Sequence, residues 1–211
     1  MKVRIIAITS LAVAVMFGTV CSALPQDGKN AYPSMAPLDQ YLIDRDAEIT
    51  MARSAAPESV SRDAAVMVLG RHGYETAVQG KNGFVCIVER SWISPIDDPE
   101  FWNPKARAPI CFNAAAARSY LPRVIKKTDL ILAGHSKDQM VEAITAAVDK
   151  KELPAMEPGA MCYMLSKEAY GDRFGHWHPH LMFFFSQADP AVWERICRAP
   201  LSSRSTNPGS T

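Results

Sequence analysis

Residues 64–90, AAVMVLGRHGYETAVQGKNGFVCIVER, contain three apolar runs separated by turn-forming residues. The runs Ala64–Leu69, Tyr74–Gln79 and Phe84–Arg90 have the length and the β-branched and aromatic content that are typical of strands. Asn82-Gly83 lies between the second and third runs, and both residue types tolerate the positive φ of a tight turn. We therefore expect three grouped strands, with a hairpin joining the last two.

Helical patterns lie on both sides of these strands. Apolar residues recur at three-, four- and seven-residue steps over 38–56, which predicts an amphipathic helix that ends at Pro57. Asn113 is a candidate cap for a helix over 114–121, and Pro122 then forces a break or a kink.

The second half of the chain adds a longer helix and two more strands. Ser136 begins a capping-box pattern for a helix over Lys137–Lys151. Apolar runs at 160–165 and 181–185 predict strands, and a short helix is expected after Asp189. Because the strands are grouped and do not alternate strictly with helices, we expect an α+β fold, with an antiparallel sheet of about five strands packed with three to four helices.

Residues 91–109 interrupt this pattern with four prolines and no usable period. They are expected to form a long loop that carries Trp92, Phe101 and Trp102. Loops of this length in a compact domain are often functional or covered by other segments.

The N-terminus has the layout of a secretory signal peptide. Lys2 and Arg4 precede an uncharged apolar stretch over 5–17, and small residues over 20–23 allow cleavage before Leu24. The apolar stretch is shorter than the roughly 20 residues that a membrane-spanning helix needs. We expect an exported protein, periplasmic or secreted, without an integral membrane segment after cleavage.

The leader also sets the domain boundaries. Lipid attachment through Cys21 is the alternative to simple cleavage, although Val20 stands where lipoprotein signals have a small residue. After the signal peptide 1–23, we expect a linker over 24–37, a single domain over 38–199 and a disordered tail over 200–211.

Composition and charge restrict the class of protein. Of the 211 residues, 48% are hydrophobic and 21% are charged, which excludes a disordered chain. The net charge is +1, and it becomes −1 without residues 1–23. No nucleic-acid partner is therefore expected on electrostatic grounds.

Removal of the leader leaves an even number of cysteines, namely Cys86, Cys111, Cys162 and Cys197. In an oxidising compartment four cysteines can form two disulfides in three possible pairings. Structural disulfides are the favoured interpretation, and buried free thiols are the alternative.

The segment Gly175-His-Trp-His-Pro-His180 carries the most unusual pattern in the chain. His176, His178 and His180 would share one face of an extended segment, and two such imidazoles can converge on a divalent ion. Pro179 favours extended backbone at the residue before it. Zinc is the favoured metal, with copper second because methionines lie on the flanking strands.

Other residues could complete or replace this metal site. Glu89, His72 and His135 are possible further ligands, and Glu89 with a histidine could form an acid/base pair. The segment 130–138 resembles the strand–elbow–helix of α/β-hydrolases, with Ser136 as the nucleophile, although Asp138 replaces the second glycine of that motif. A helix cap explains Ser136 without catalysis.

Three segments together resemble a group of uncharacterised exported bacterial proteins. They are Gly70–Tyr74, Gly83–Arg90 and Gly175–Phe183, the last with the sequence GHWHPHLMF. The resemblance covers most of residues 38–186. It implies an exported single-domain protein and no particular activity.

These observations predict an exported protein whose histidine-rich site at His176, His178 and His180 binds a divalent metal or a small polar ligand. One alternative is a secreted hydrolase that uses a histidine with Glu89 or Ser136. The other is a non-catalytic envelope protein with structural histidines. No dinucleotide- or phosphate-binding motif is present, so no organic cofactor is expected.

Overall fold

A computed structural model describes residues 32–170 and 178–185 of the chain. In this part of the chain six strands form one mixed sheet in the order β2-β1-β3-β4-β5-β6. The strands are β1 Ala65–Gly70, β2 Gly73–Val78, β3 Val85–Glu89, β4 Ala108–Phe112, β5 Met161–Met164 and β6 His180–Phe183. Neighbouring strands are antiparallel except β1 and β3, which are parallel. The α+β class is confirmed, and the strands expected at 160–165 and 181–185 are confirmed as β5 and β6.

The helices of the described residues pack on both faces of the sheet. They are α1 Arg45–Arg53, α2 Glu58–Ser61, α3 Ala114–Ser119, α4 Leu121–Leu132 and α5 Lys137–Asp149, with short 3-10 turns at Leu38–Gln40 and Ser91–Ile93. The capping box at the start of α5 is confirmed. Cys197 and the predicted signal peptide, final helix and tail lie outside the described residues.

The first helix is shorter than its apolar pattern predicted. The helix expected over 38–56 begins only at Arg45, because the Asp44 side chain accepts hydrogen bonds from the backbone amides of Asp46 and Ala47. A side chain that satisfies these free amide groups fixes the start of a helix there.

The predicted hairpin between residues 74–79 and 84–90 is wrong, because β2 and β3 lie on opposite sides of β1. The hairpin joins β1 to β2 instead, through Arg71-His72. The loop after β2 passes over the start of β1, where a Cβ on Gly80 would overlap the backbone nitrogen of Ala65. The side chain of Asn82 then donates to the Val60 carbonyl at 2.7 Å, so this asparagine fixes the crossing loop and not a tight turn.

Alternation along β3 divides its side chains between two hydrophobic layers. Val85 and Ile87 pack with Leu121 and Val124 of α4, in a layer that also contains residues of α3, β4 and β5. Cys86 and Val88 pack on the other face with residues of α1. Glu89 follows the alternation of Val85 and Ile87 and therefore points to the α4 side of the sheet.

A disulfide joins Cys86 and Cys111, as expected for at least part of the cysteine set. The two residues are directly opposite each other on β3 and β4, and both are fully buried beneath α1. Cys162 is a buried free thiol in the other hydrophobic layer, which separates it from this pair.

A fully buried ion pair connects α1 to the end of β3. Arg90 donates to the Glu48 carboxylate at 2.9 Å, and neither side chain has any exposed area. Arg90 also donates to the carbonyls of Tyr41 and Val88, and the second Glu48 oxygen accepts from the Leu69 amide at 3.1 Å. Both charges are thus compensated by several hydrogen bonds, which buried ions require.

The long loop after β3 is folded onto α4 and α5. Trp92 and Phe101 are fully buried, and the Trp92 indole donates to the Thr128 hydroxyl at 3.1 Å. The Lys127 ammonium donates to the carbonyls of Ile93 and Ser94 at 3.1 and 2.9 Å. The expected loop is therefore covered, and α4 holds it in place.

None of the helices within residues 32–170 and 178–185 has the length and apolar character to cross a membrane.

Replacing Glu48 with Gln should lower the free energy of unfolding by roughly 3–5 kcal/mol, because the buried Arg90 charge would lose its counter-ion. Glu75→Gln is the matched control, since Glu75 pairs with Arg45 at the surface and is 62% exposed. The control should cost about 1 kcal/mol or less. Urea denaturation of both variants measures the difference. Equal losses of unfolding free energy would show that the buried pair stabilises the protein no more than the surface pair does.

Candidate functional site

A cavity of about 270 Å³ lies where β3 ends and the long loop begins. Its lining combines polar residues of that junction with apolar residues from β4, β6 and the start of α4. The lining residues are Glu89, Arg90, Ser91, Ile93, Ser94, Pro95, Asp98, Ala106, Arg107, Ala108, Tyr120 and Met182.

Two buried oxygens in this lining have no hydrogen-bond partner among the described residues. Glu89 is 5% exposed and its Oε1 is unpaired, and Ser91 is 4% exposed with an unpaired Oγ. Buried polar atoms are almost always hydrogen-bonded in folded proteins, so two such atoms in one cavity call for a functional explanation.

Burial changes the protonation of Glu89. It raises the pKa of this carboxyl from 4.5 to about 8, and the nearby Lys127 charge opposes part of that rise. Burial also lowers the pKa of Lys127 to about 8, against the attraction of Glu89. Glu89 is therefore mainly protonated at neutral pH, and its pKa lies in the range where a carboxyl exchanges protons readily.

The arginines of the lining are held by other groups. Arg90 is committed to Glu48 and to two backbone carbonyls. Arg107 donates to the carbonyls of Pro104, Ala106 and Gln40 at 2.7, 2.7 and 3.2 Å. Burial, followed by the positive charge of Arg90, lowers the pKa of Arg107 to about 10.

The rest of the wall is apolar and well packed. Tyr120 stacks on Phe184 with 4.0 Å between ring centroids, and burial raises the pKa of its phenol. Met182 reaches the cavity from β6, and Ala108 faces Glu89 directly across the β3–β4 pair. The cavity thus has a polar end at Glu89 and Ser91 and an apolar body.

The predicted metal site is only partly within the described residues. His176 lies outside them, His178 is exposed, and His180 is half-buried at the start of β6. The Nδ1 atom of His180 lies 2.7 Å from the His178 carbonyl, which can only accept, so Nδ1 carries the proton of that bond. Within residues 32–170 and 178–185 no three His, Cys, Asp or Glu side chains are grouped to hold a metal ion.

The other predicted site residues are not brought together. His72 and His135 are both exposed, His72 in the β1–β2 turn, and no histidine of the described residues lines the Glu89 cavity. Ser136 caps α5, with its hydroxyl accepting from the Gln139 amide at 3.2 Å. The predicted strand before Ser136 is wrong, because residues 130–132 form the last turn of α4.

Sequence reasoning singled out Glu89 but missed the residues around it. Ser91 follows Glu89 by two residues, whereas Arg107 lies just before β4 and Tyr120 just before α4, so the approach of these two residues to Glu89 depends on the order of the strands. The run Glu-Arg-Ser directly after a fully apolar strand was the available signal, because polar residues at the end of a buried strand often mark a site.

Comparison of the chain with protein-family models, with curated proteins and with solved structures found no match. The resemblance to exported bacterial proteins therefore stays a prediction.

Glu89→Gln should remove a pH dependence from the stability of the protein. Above pH ~4.5 the unfolded chain loses the Glu89 proton while the folded chain keeps it up to about pH 8. The wild type therefore loses stability across this window relative to the variant, by on the order of 4 kcal/mol in total.

Urea denaturation of both proteins across this pH range measures the effect. The gain in stability of the variant over the wild type should grow with pH and level off above about pH 8. Glu142→Gln, at an exposed position on α5, is the control and should follow the wild-type curve. A constant difference between Glu89→Gln and the wild type would contradict the raised pKa.

Proposed function

We propose that this is an exported protein that binds a small ligand in the Glu89 cavity. The observation that carries the proposal is the pair of buried, unpaired oxygens, Glu89 Oε1 and Ser91 Oγ, in the wall of one cavity. A buried polar atom without a partner costs on the order of 1–3 kcal/mol, and a bound ligand would offset that cost.

The form of the cavity supports a ligand site. Small-molecule sites are concave and mostly apolar, with a few polar groups that fix the orientation of the ligand. A volume of about 270 Å³ is just below the roughly 300–1,000 Å³ of sites for drug-sized ligands. The ligand is therefore a small molecule and not a peptide or a large cofactor.

Two independent features support export. The signal-peptide pattern of residues 1–23 predicts secretion, and the Cys86–Cys111 disulfide is typical of oxidising compartments. A protein outside the cytoplasm that binds a small molecule would act in its uptake, sensing or modification.

A fragment screen tests the binding function. Ligand-observed NMR on the oxidised protein should find small polar fragments that bind the wild type. Ala108→Leu should weaken them about tenfold or more, because the larger side chain fills the cavity opposite Glu89.

Glu142→Gln is the control that should leave the same fragments bound, and circular dichroism checks that each variant is folded. Ser91→Ala provides a second, smaller change in the cavity wall. Fragments that bind all four proteins equally, or no fragment hits at all, would contradict the proposal.

A metal site at the histidine-rich segment is the second candidate. The bond from His180 Nδ1 to the His178 carbonyl supports it, because histidines that bind metals are commonly oriented by such a bond from the ring to a backbone carbonyl. Zinc is the proposed ion and copper the alternative, with His176, His178 and His180 as the proposed ligands.

Metal analysis of the purified protein tests this candidate. The wild type should carry zinc near one equivalent after dialysis against trace metal, and His178→Ala should lose most of it. His72→Ala, at an exposed position in the β1–β2 turn, should keep the metal. A wild type that carries no metal would contradict this candidate and would leave the proposal for the Glu89 cavity standing.

A further inference from the structure

The open polar atoms of the Glu89 cavity are hydrogen-bond acceptors. Glu89 Oε1 and Ser91 Oγ are unpaired, and the half-buried Asp98 adds a second carboxylate to the lining. One oxygen of Asp98 accepts from the Glu100 amide, and a carboxylate has further lone pairs to offer. These acceptors favour a ligand that supplies N–H or O–H groups, although the Ser91 hydroxyl and a protonated Glu89 can also donate.

The cationic residues of the same wall are bonded to other groups of the protein. Arg90 is paired with Glu48, and Arg107 is held against three backbone carbonyls. Lys127 donates to the Ile93 and Ser94 carbonyls and is not among the lining residues. A carboxylate or phosphate ligand would meet the carboxyl groups of Glu89 and Asp98, while both terminal nitrogens of the Arg107 guanidinium are already bonded to carbonyls.

A primary ammonium matches this arrangement best. It has three donors and a compact positive charge, so it has enough donors for both Glu89 and Ser91. It also supplies the opposite charge that a buried carboxylate requires. Neutral alcohols and amides can bond to the protonated Glu89 carboxyl, but they do not compensate the charge of its ionised form.

The remaining wall sets the size and character of the rest of the ligand. Its apolar side chains come from the loop, from β4, from β6 and from the residue before α4: Ile93, Pro95, Ala108, Met182 and Tyr120. A cavity of about 270 Å³ holds a short alkyl chain or a single ring beside the ammonium.

On the basis of the proposed function, we infer that the ligand of this cavity is a small primary amine. Its ammonium binds Glu89 and Ser91, and its apolar body lies against Ala108, Tyr120 and Met182.

Binding of such an amine should release a proton. At neutral pH Glu89 is mainly protonated, and the incoming ammonium favours the carboxylate, so the proton leaves to solvent. The charged and titratable groups that influence the site come from several elements. They are Lys127 and Tyr120 on the α4 side, Tyr74 on β2, Cys162 on β5, and Arg90, Arg107 and Asp98 in the loop region.

Matched probes test the inference on the full, oxidised chain. Isothermal titration compares butylamine with 1-butanol and benzylamine with benzyl alcohol, since each pair differs in the charged head. In the wild type the amines should bind about tenfold or more tightly than the alcohols, the range expected for charge-assisted hydrogen bonds. Glu89→Gln should remove that preference, and Glu142→Gln should keep it.

Proton release gives a second measurement that needs no variant. Titrations of the wild type with butylamine at neutral pH, in buffers of different ionisation enthalpy, should show net proton release to the buffer. The release should diminish above about pH 8, where Glu89 is already ionised.

The outcomes separate this inference from the proposed function. Alcohols that bind as tightly as amines, with both weakened by Ala108→Leu, would overturn the amine class and leave the binding function standing. An amine preference that persists in Glu89→Gln, or amine binding to the wild type without proton release, would also overturn the inference. No binding of any amine, alcohol or screening fragment would overturn both.

Discussion

The buried pair of Glu48 and Arg90 determines where the polar end of the cavity lies. Arg90 follows Glu89 in extended backbone, so the two side chains point to opposite faces of the sheet. Because α1 holds Arg90 through Glu48, a shift of β3 by one residue would break the ion pair and move Glu89 out of the cavity. The same bonds bring together the Tyr41 carbonyl, the Leu69 amide and the end of β3. The interaction that orders the α1 side of the sheet therefore also positions the candidate site on the α4 side.

The long loop after β3 completes the cavity. Helix α4 holds the backbone of this loop, and the same helix influences the pKa of Glu89. Lys127 binds the Ile93 and Ser94 carbonyls, and its charge lowers the pKa of Glu89 to some extent. One lysine thus shapes the rim of the cavity and the charge at its polar end. The buried rings of Trp92 and Phe101 anchor the loop in a hydrophobic cluster, so a segment with only one short 3-10 turn still forms a defined part of the cavity wall.

Local sequence patterns were enough to predict most strands and the α5 cap, but not the way the strands are joined. The three runs in 64–90 and the Ser136 capping box depend on residues close in sequence, and the structure confirms them. The hairpin prediction failed because the loop after β2 crosses the start of β1 and does not turn back directly. Gly80 lies against Ala65 at this crossing, and no local sequence pattern reveals such a tertiary contact. Helix α4 was missed because Pro122 indicated a break, whereas it lies in the first turn, where proline is tolerated. Glu89 was recognisable as a polar residue ending an apolar strand, and Ser91 follows it two residues later, but Tyr120 and Lys127 come from segments that only the folded sheet brings near it.

The disulfide lies on the opposite face of the sheet from the cavity but on the same two strands. Cys86 and Cys111 are paired across β3 and β4, the strands that also place Glu89 opposite Ala108. Thiols stay reduced in the cytoplasm and are oxidised outside it. A newly made chain in a reducing compartment would lack the covalent link between the two strands that carry the cavity wall. The oxidised protein is thus the form in which the two strands that carry the cavity wall are tied covalently.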